Sequence, residues 1–392
     1  MNQLKNRREV ILTGIKPTGS PHLGNYIGAI RPALELARRS PEAHAMYFLA
    51  DYHALTLVKD PVRFRDLCHE LAATWIACGL DPERQVFYRQ SDVPEVFELS
   101  WILSCSTSKG LMNRAHAYKA QVDRHTRGHT RGGGDADARG VDAGDTDTGA
   151  GDARDADAGD TDARDADAGD TDARDADARD ADARDADAGV NMGLYSYPIL
   201  MAADILLFQA KYVPVGRDQE QHIEIARDIA ARFNRSFGDV LTLPLYLSDP
   251  STAEIPGTDG RKMSKAYNNT IPLFGSREQL RKAIFGIRTD SSPPGAPKDP
   301  GTSLVFQIYR QFADGDRTEA MRSRLVQGRI TWKAAKEELF DLIDGLLESP
   351  RAVYEELMAD RSRIDRLLEA GACSARELAR PTMDIVRQAV GR

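Results

Sequence analysis

The chain is predicted to be an α/β protein: a Rossmann-like, doubly wound parallel sheet, a C-terminal all-helical domain and a disordered acidic insert. Short apolar runs alternate with amphipathic segments up to about residue 275, as in parallel sheets whose crossovers are helices. From about residue 276 the apolar spacing is helical throughout. Between the two halves of the predicted sheet lies a repeat of Asp, Ala and Arg. It has almost no large apolar side chain, so it cannot contribute to a core.

Each element is predicted from a local pattern. Apolar runs predict strands at 9–14, 45–50, 85–89 and 212–215. Helices are predicted after them, from Pro21, at 64–78 and 93–105, from Pro198 and at 219–233. The last part of the chain predicts helices at 277–285, 303–312, 318–325, 331–348, 351–370 and 374–390. The predicted domains are the first half of a Rossmann catalytic domain (1–123), the insert (124–189), the second half with a mobile lysine loop (190–275) and a helical domain (276–392).

The insert dominates the net charge. Residues 135–189 hold 20 Asp and 6 Arg and so carry −14, whereas the whole chain of 392 residues carries −8. The remaining 337 residues therefore carry +6, which is compatible with a polyanionic partner. The repeats lack the Gly and Glu positions of an EF-hand loop, which favours a solvated, disordered segment over a calcium site. Such a segment is either a tolerated expansion of a surface loop or an acidic region that repels misplaced nucleic acid.

The composition predicts a cytoplasmic protein. Hydrophobic residues make up 41% of the chain and charged residues 29%, as in soluble globular proteins. The longest apolar stretches, 198–203 and 205–208, are too short to span a bilayer, and the apolar run at 10–12 is too short for a secretory signal. Four cysteines, at 68, 78, 105 and 373, have no metal-ligand spacing. They predict free, mostly buried thiols in a reducing compartment.

Residues 17–25, with the sequence PTGSPHLGN, directly follow the first predicted strand. Ser20 can cap a helix, and Pro21 suits its first position. The next residues would then lie beside free backbone N–H groups at the positive end of the helix dipole: His22, Gly24 and Asn25. This predicts an anion site at the carboxyl end of a strand. The alternative is an ordinary capped helix with an incidental histidine.

A second segment, KMSKA at 262–266, lies about 240 residues later and follows a turn at 256–260. Lys262 and Lys265 place two ammonium groups on either side of the Ser264 hydroxyl. This arrangement suits a triphosphate whose charge shifts during a reaction. The alternative is a solvated basic loop. Together and in this order, the two segments predict two halves of a site that binds ATP phosphates without a P-loop.

The two segments resemble the HIGH and KMSKS motifs of class I aminoacyl-tRNA synthetases. Four stretches narrow the resemblance to the tryptophanyl-tRNA synthetase family: TGI-K-PTG at 13–19, LGNYIGA at 23–29, MAADIL at 201–206 and VPVGRDQ at 213–219. The resemblance covers essentially the whole chain except the insert. It implies a homodimeric, cytoplasmic ligase with no membrane association that activates L-tryptophan with ATP and Mg²⁺ and transfers it to tRNA(Trp). It also implies that the helical domain, 276–392, binds the tRNA anticodon.

The resemblance also implies roles for the matching positions. The implied catalytic residues are His22, Lys262 and Lys265. The implied ATP-binding residues are Lys16, Pro17, Thr18, Gly24, Asn25, Gly216, Arg217, Asp218, Ile255, Lys262, Met263, Ser264, Lys265 and Ala266. The implied tryptophan-binding residues are Asp204, Met201 and Gln219, and no metal ligand is implied. Two positions depart from the family pattern: Lys16 replaces the usual Gln or Thr, and Ala266 replaces Ser, which predicts reduced activity.

Asp204 is also a candidate on chemical grounds alone. It lies in an apolar run, where an unpaired carboxylate is costly. An indole has one donor and no acceptor, so a carboxylate is an apt partner for it. The alternative is a helix-surface aspartate that points into water. Met201, one turn earlier, either lines the same pocket or belongs to the core.

Other interpretations stay open at the level of sequence. A basic patch before the insert either contacts substrate or tRNA or is a solvated helix face: Lys109, Asn113, Arg114, His116, Tyr118 and Lys119. A tyrosyl-tRNA synthetase would share the fold but needs polar partners for a phenol hydroxyl. A non-catalytic paralogue would bind tRNA or tryptophan without reaction. Pyrophosphate exchange that depends on the added amino acid distinguishes these functions.

Overall fold

The computed structural model describes residues 9–114, 191–216, 219–247 and 255–392. Its centre is a five-stranded parallel sheet with the order β3-β2-β1-β4-β5. The strands are β1 (Val10–Ile15), β2 (His44–Leu49), β3 (Val86–Arg89), β4 (Tyr212–Pro214) and β5 (Leu245–Leu247). The strand order reverses between β1 and β4, which is the switch point of a doubly wound sheet. The predicted fold class is confirmed. Among these strands, only β5 was not predicted from the sequence.

Alternate residues of the strands face opposite sides of the sheet. In β2, Met46 and Phe48 belong to one hydrophobic cluster, and Tyr47 and Leu49 belong to another on the opposite face. This is the two-residue period of a strand. Because helices cover both faces, β2 needs apolar side chains at nearly every position, which explains its continuous apolar run.

Eight α-helices, short and long, belong to the described part of the chain before residue 248. They are α1 (Leu23–Asn25), α2 (Arg31–Arg39), α3 (Asp51–Ala54), α4 (Pro61–Ala77), α5 (Glu95–Ser106), α6 (Lys109–Met112), α7 (Met192–Leu207) and α8 (Glu220–Phe237). The prediction that α7 begins at Pro198 is wrong. The Asn191 side chain caps α7 by accepting the Leu194 N–H at 2.9 Å, and Pro198 lies inside the helix.

From Arg277 to the end, where no residue is left undescribed, every regular element is a helix, as predicted. These helices are α9 (Arg277–Phe285), α10 (Leu304–Tyr309), α11 (Gly315–Val326), α12 (Trp332–Ala359) and α13 (Arg361–Ala389). The predicted break near Pro350 is wrong, because α12 continues through it and Arg351 pairs with Asp344 at 3.0 Å across that turn. The break comes at Asp360, whose side chain accepts the Arg363 N–H.

The last helix packs directly on the edge of the sheet. A Cβ built on Gly371 of α13 would lie 1.8 Å from the Phe87 carbonyl oxygen of β3. Only glycine permits so close an approach of two backbones. Arg89 at the end of β3 also pairs with Asp365 of α13 at 2.9 Å. The helix thereby covers the edge of β3 and supports the turn that follows this strand. The domain boundary between residues 275 and 276 stays a prediction.

Two remaining sequence predictions, on the cysteines and on the insert, can be compared with the structure only in part. Cys68 is buried and Cys78 half-buried, but Cys105 and Cys373 are exposed, so the prediction of mostly buried thiols is wrong for two of four. The predicted insert, 124–189, lies outside the described residues. Within the described ranges no helix has the length and apolar character needed to cross a membrane.

Candidate active site

The first motif segment directly follows β1, and its helix begins later than the sequence predicted. Residues 21–23 pair with 271–273: the Leu23 N–H donates to the Ile271 carbonyl at 2.9 Å. This pairing holds the backbone extended as far as His22, so the helix begins at Leu23. The His22 N–H donates to the Asn25 side-chain oxygen at 3.1 Å. The prediction that Ser20 caps the helix is therefore wrong.

The backbone donors at this helix start are partly used. The Leu23 N–H is bonded to Ile271, and the Asn25 N–H donates to the His22 carbonyl at 3.0 Å. The predicted row of free N–H groups is therefore wrong for these two positions. Anion binding at this segment stays a prediction, and it would depend more on the surrounding side chains than on the helix end.

The fold brings the two motif segments into contact. A Cβ built on Gly19 would lie 2.7 Å from Lys265 Nζ, and one built on Gly24 would lie 3.5 Å from Met263 Cβ. Met263 is 5% exposed and packs in one hydrophobic cluster with Leu23 of the first segment. The two halves, separated by about 240 residues in sequence, thus form one continuous surface.

His22 lies at the centre of this surface and is 7% exposed. Burial and, to a lesser extent, the positive charge of Lys265 lower the pKa of His22 from 6.5 to about 4. The imidazole is therefore neutral near pH 7, and the lysines carry the positive charge. Its Nδ1 has no hydrogen-bond partner among the described residues. Gly24 leaves room for the ring, since a Cβ there would lie 2.9 Å from it.

Asn269 holds the lysine loop, residues 262–266, in place. Its side-chain oxygen accepts the Ser264 N–H at 2.8 Å, and its amide nitrogen donates to the Lys262 carbonyl at 3.0 Å and to the Asp259 carboxylate at 2.7 Å. The residue is 2% exposed. Gly257 makes room for it, because a Cβ there would lie 2.3 Å from the Asn269 amide. The mobility of the loop stays a prediction.

The other implied ATP-binding residues line the same edge of the sheet. Lys16 follows β1, and its ammonium lies 5.3 Å from the centre of the Tyr197 ring. Pro17 is buried, and the Thr18 N–H donates to the Lys16 carbonyl at 3.0 Å. Gly216 follows β4 and accepts the Gln219 N–H at 2.9 Å. Two residues, Arg217 and Asp218, lie outside the described part of the chain.

Three further residues of the lysine segment occupy different environments. Ile255 is buried in the cluster that holds Met263 and accepts the Met263 N–H at 3.0 Å. Ser264 is buried and accepts the Ala266 N–H at 3.3 Å. The Ala266 methyl group is exposed, so a hydroxyl at this position would meet no steric obstacle from the core.

Asp204 of α7 is 1% exposed, so the alternative in which it points into water is wrong. His53 Nε2 lies 2.9 Å from one carboxylate oxygen, and Gln90 Nε2 lies 2.8 Å from both oxygens. Burial raises the pKa of Asp204, while the contacts from His53 and Gln90 oppose that rise. Met201, one turn earlier, is half-buried and packs against the hydrophobic cluster behind the site.

The sequence interpretation missed His53, Gln90 and Tyr197. His53 lies in α3 directly after β2, and Gln90 directly follows β3. The Tyr197 ring contacts the His53 ring edge-on at 4.6 Å between centroids and the His222 ring at 5.3 Å. Polar residues at the carboxyl ends of parallel strands are the usual site formers, and that rule applied to each strand would have found two of these three.

The basic patch before the insert is only partly described. The Asn113 side-chain oxygen accepts the Tyr195 hydroxyl at 2.9 Å, and the Arg114 carbonyl accepts from Gln221 at 3.4 Å. The Asn113 side chain and the Arg114 backbone are therefore bonded to α7 and α8, while both residues are exposed. His116, Tyr118 and Lys119 lie outside the described residues.

A family model described as tRNA synthetases class I (W and Y) matches residues 4–131 and 172–348. The chain belongs to this family. The family resemblance stated from the two motifs is thus confirmed. The match is interrupted at 132–171, inside the predicted insert, so those residues are additional to the family pattern.

Individual relatives show which members of this family the chain is similar to. The chain is 47% identical to a tryptophan–tRNA ligase of Pseudomonas aeruginosa over 384 residues, which cover 97% of this chain and 73% of the relative. It is 46% identical to the tryptophan–tRNA ligase of Xanthomonas campestris, with coverage of 97% and 76%. The solved tryptophanyl-tRNA synthetase of Campylobacter jejuni, complexed with ADP and tryptophan, is 34% identical, with a TM-score of 0.76 over 98% of this chain and all of that one.

Proposed function

We propose that this chain is a tryptophan–tRNA ligase that forms tryptophanyl-adenylate from L-tryptophan and ATP and transfers the aminoacyl group to tRNA(Trp). The observation that carries the proposal is the contact between the lysine loop and the first motif, where Lys265 lies against Gly19. The names of the relatives given above support tryptophan as the amino acid, and so does the buried acceptor Asp204.

In the activation step, a carboxylate oxygen of tryptophan attacks the α-phosphorus of ATP. The bond from that phosphorus to the bridging oxygen breaks, and pyrophosphate leaves with the electron pair. Lys262 and Lys265 offset the charge that develops on the leaving phosphates. His22, neutral near pH 7 because its pKa is lowered to about 4, contributes a hydrogen bond rather than a charge. No protein nucleophile takes part, so catalysis rests on positioning.

Mg²⁺ enters as part of the nucleotide substrate. In the described ranges no group of three or more His, Cys, Asp or Glu side chains could hold a metal ion. A Mg²⁺ ion bound to phosphate oxygens needs no dedicated protein cage, because it keeps several waters and takes its ligands from the substrate. Mg²⁺–ATP is therefore the form of the substrate that the lysines would meet.

Tryptophan would bind with its indole N–H toward Asp204. The carboxylate is an acceptor without a donor of its own when ionised, which matches an indole that donates once and accepts nothing. Met201 and Gln219 would contact the same amino acid. A phenol hydroxyl would also need an acceptor for its proton. Unlike an indole N–H, its oxygen carries lone pairs of its own, and these would lie in the same buried region.

In the second step, a ribose hydroxyl at the end of tRNA(Trp) attacks the activated carbonyl and AMP leaves. Outside 135–189 the chain carries +6, which favours a polyanionic partner. Residues 276–392 would contact the anticodon, and the reaction would take place in the cytoplasm.

The enzyme would act as a homodimer, as the family resemblance implies. Trp101 of α5 is 74% exposed and Met192 of α7 is 72% exposed, more than any other large hydrophobic residue described. A contiguous exposed apolar patch marks an association surface, whereas single exposed apolar residues are common on monomers, so these two side chains are the positions to test. Light scattering should give twice the monomer mass, and Trp101→Lys should give the monomer. A wild-type monomer at micromolar concentration would contradict the dimer.

Amino-acid-dependent exchange of pyrophosphate into ATP tests the function. The purified chain should catalyse exchange with L-tryptophan and at least about a thousandfold less with L-tyrosine, because a buried polar site rejects a mismatched ligand strongly. Exchange with tyrosine alone would establish the tyrosyl enzyme. Binding of tryptophan without exchange would establish the non-catalytic paralogue.

A further inference from the structure

Two side chains from the carboxyl ends of neighbouring strands converge on Asp204. Gln90 follows β3, and its Nε2 lies 2.8 Å from each oxygen of the Asp204 carboxylate. His53 follows β2, and its Nε2 lies 2.9 Å from one of these oxygens. All three side chains are almost fully buried, with residue exposures of 0%, 4% and 1% for Gln90, His53 and Asp204.

The two turns that carry these donors are held together by a separate buried carboxylate. One oxygen of Asp51 accepts the Ser91 N–H at 3.0 Å and also the Tyr52 N–H at 3.0 Å. Asp51 is 2% exposed. It therefore fixes the backbone next to Gln90 relative to the backbone next to His53, so the spacing of the two donors does not depend on their own side chains.

The contacts leave the carboxylate with unused capacity. An ionised carboxylate has about four lone-pair sites and only accepts. The Gln90 amide contacts both oxygens, and His53 contacts one of them. These three contacts leave one lone pair for a ligand. An acceptor held in this way has its free lone pair in a fixed direction, because its two oxygens cannot rotate without breaking these contacts.

We propose that Gln90 and His53 are positioning residues that fix the Asp204 carboxylate so that its remaining lone pair meets the tryptophan indole N–H. This proposal rests on the role of Asp204 given above and extends it to two residues that touch no reacting atom. The chain thereby specifies the direction of the acceptor as well as its presence. Selectivity for an N–H donor would be lost when either residue stops donating.

The test uses the sulfur isostere of tryptophan, β-(3-benzothienyl)alanine, which has the shape of tryptophan but no N–H. The measured quantity is the ratio of kcat/KM for tryptophan to that for the isostere in pyrophosphate exchange. Gln90→Met keeps the side-chain volume and removes the donor, and His53→Phe keeps the ring beside Tyr197 and removes the donor. Each should lower the ratio about ten- to a hundredfold, as expected for a hydrogen bond to a charged group.

Two controls separate positioning from simple damage. Thr74→Val removes a buried hydroxyl that donates to the Glu70 carbonyl in α4, away from Asp204, and should leave the ratio unchanged. Asp204→Asn should lower the ratio at least as far as either positioning variant. Because two independent variants are used, failure of one to fold leaves the other to decide.

The outcomes are distinct. If Gln90→Met and His53→Phe lower kcat/KM equally for both amino acids, their role is structural and the proposal is overturned. If the ratio falls in Asp204→Asn but in neither positioning variant, Asp204 keeps its role and the positioning proposal fails. If the ratio is unchanged even in Asp204→Asn, the assignment of Asp204 as the indole acceptor fails as well.

Discussion

The Lys265 ammonium lies against Gly19, close enough that a Cβ on the glycine would come within 2.7 Å of it. Two loops separated by about 240 residues in sequence therefore meet at this contact. Glycine at position 19 leaves space for the Lys265 side chain, and its backbone is not in the left-handed region. The contact sets where the lysine side chain approaches the first motif.

Gly19→Ala should displace Lys265 and slow activation. A displacement of about 1 Å in a positioned group costs about ten- to a hundredfold in rate, so we expect a loss of this size in kcat for pyrophosphate exchange. Tryptophan affinity, measured by equilibrium dialysis, should stay the same. The control is Gly28→Ala, where a Cβ meets nothing within 4 Å. Equal exchange rates for the two variants would contradict a positioning role for this contact.

His22 makes stability depend on pH in a specific direction. Its pKa is 6.5 when unfolded and about 4 in the folded chain, so between these values only the unfolded state binds the proton. The contribution of His22 to the free energy of unfolding is thus fully present above pH 6.5 and declines as the pH falls toward 4. From pH 7 to pH 5 the wild type should lose about 2 kcal/mol more free energy of unfolding than His22→Gln. Urea denaturation at the two pH values measures this, and equal losses would refute the lowered pKa.

The sequence predicted the sheet and the two motifs because each has a strong local signal. The run at 45–50 predicted β2, and KMSKA at 262–266 predicted the lysine loop. The start of the first helix was not predictable locally, since Leu23 is held by Ile271, which is distant in sequence. The helix continues through Pro350, beside which Arg351 pairs with Asp344, and it ends only at Asp360, which caps the next helix.

The supporting residues of the site were missed for a different reason. Gln90 and His53 each follow a strand, so their position marks them as candidates, but neither is part of a sequence motif that indicates its role. Their importance follows from convergence on Asp204, which requires the relative placement of β2, β3 and α7. Sequence alone predicted that Asp204 needs a partner, but only the fold specifies which residues supply it.

Asn269 should control the lysine loop without touching tryptophan. Asn269→Ala removes the acceptor for the Ser264 N–H and the donor to the Lys262 carbonyl, leaving buried backbone groups unpaired at a cost of about 1–3 kcal/mol each. The KM for ATP in pyrophosphate exchange should rise about tenfold or more, while tryptophan affinity is retained. Asn268→Gly is the control, because Asn268 is exposed and has a φ of 49°, which glycine adopts readily. A similar KM in both variants would show that Asn269 does not support the loop.

Ala266→Ser should add a contact to the nucleotide, because the resemblance implies a serine at this position. The Ala266 methyl group is exposed, so the new hydroxyl is free to reach a phosphate beside Lys265. A hydrogen bond of this kind contributes about 1 kcal/mol, which corresponds to an increase of about fivefold in kcat for pyrophosphate exchange. Ala266→Gly changes the same position without adding a donor, so it should not increase the rate. An equal increase in both variants would attribute the gain to loop flexibility, and no increase with serine would show that the hydroxyl makes no contact in the rate-limiting step.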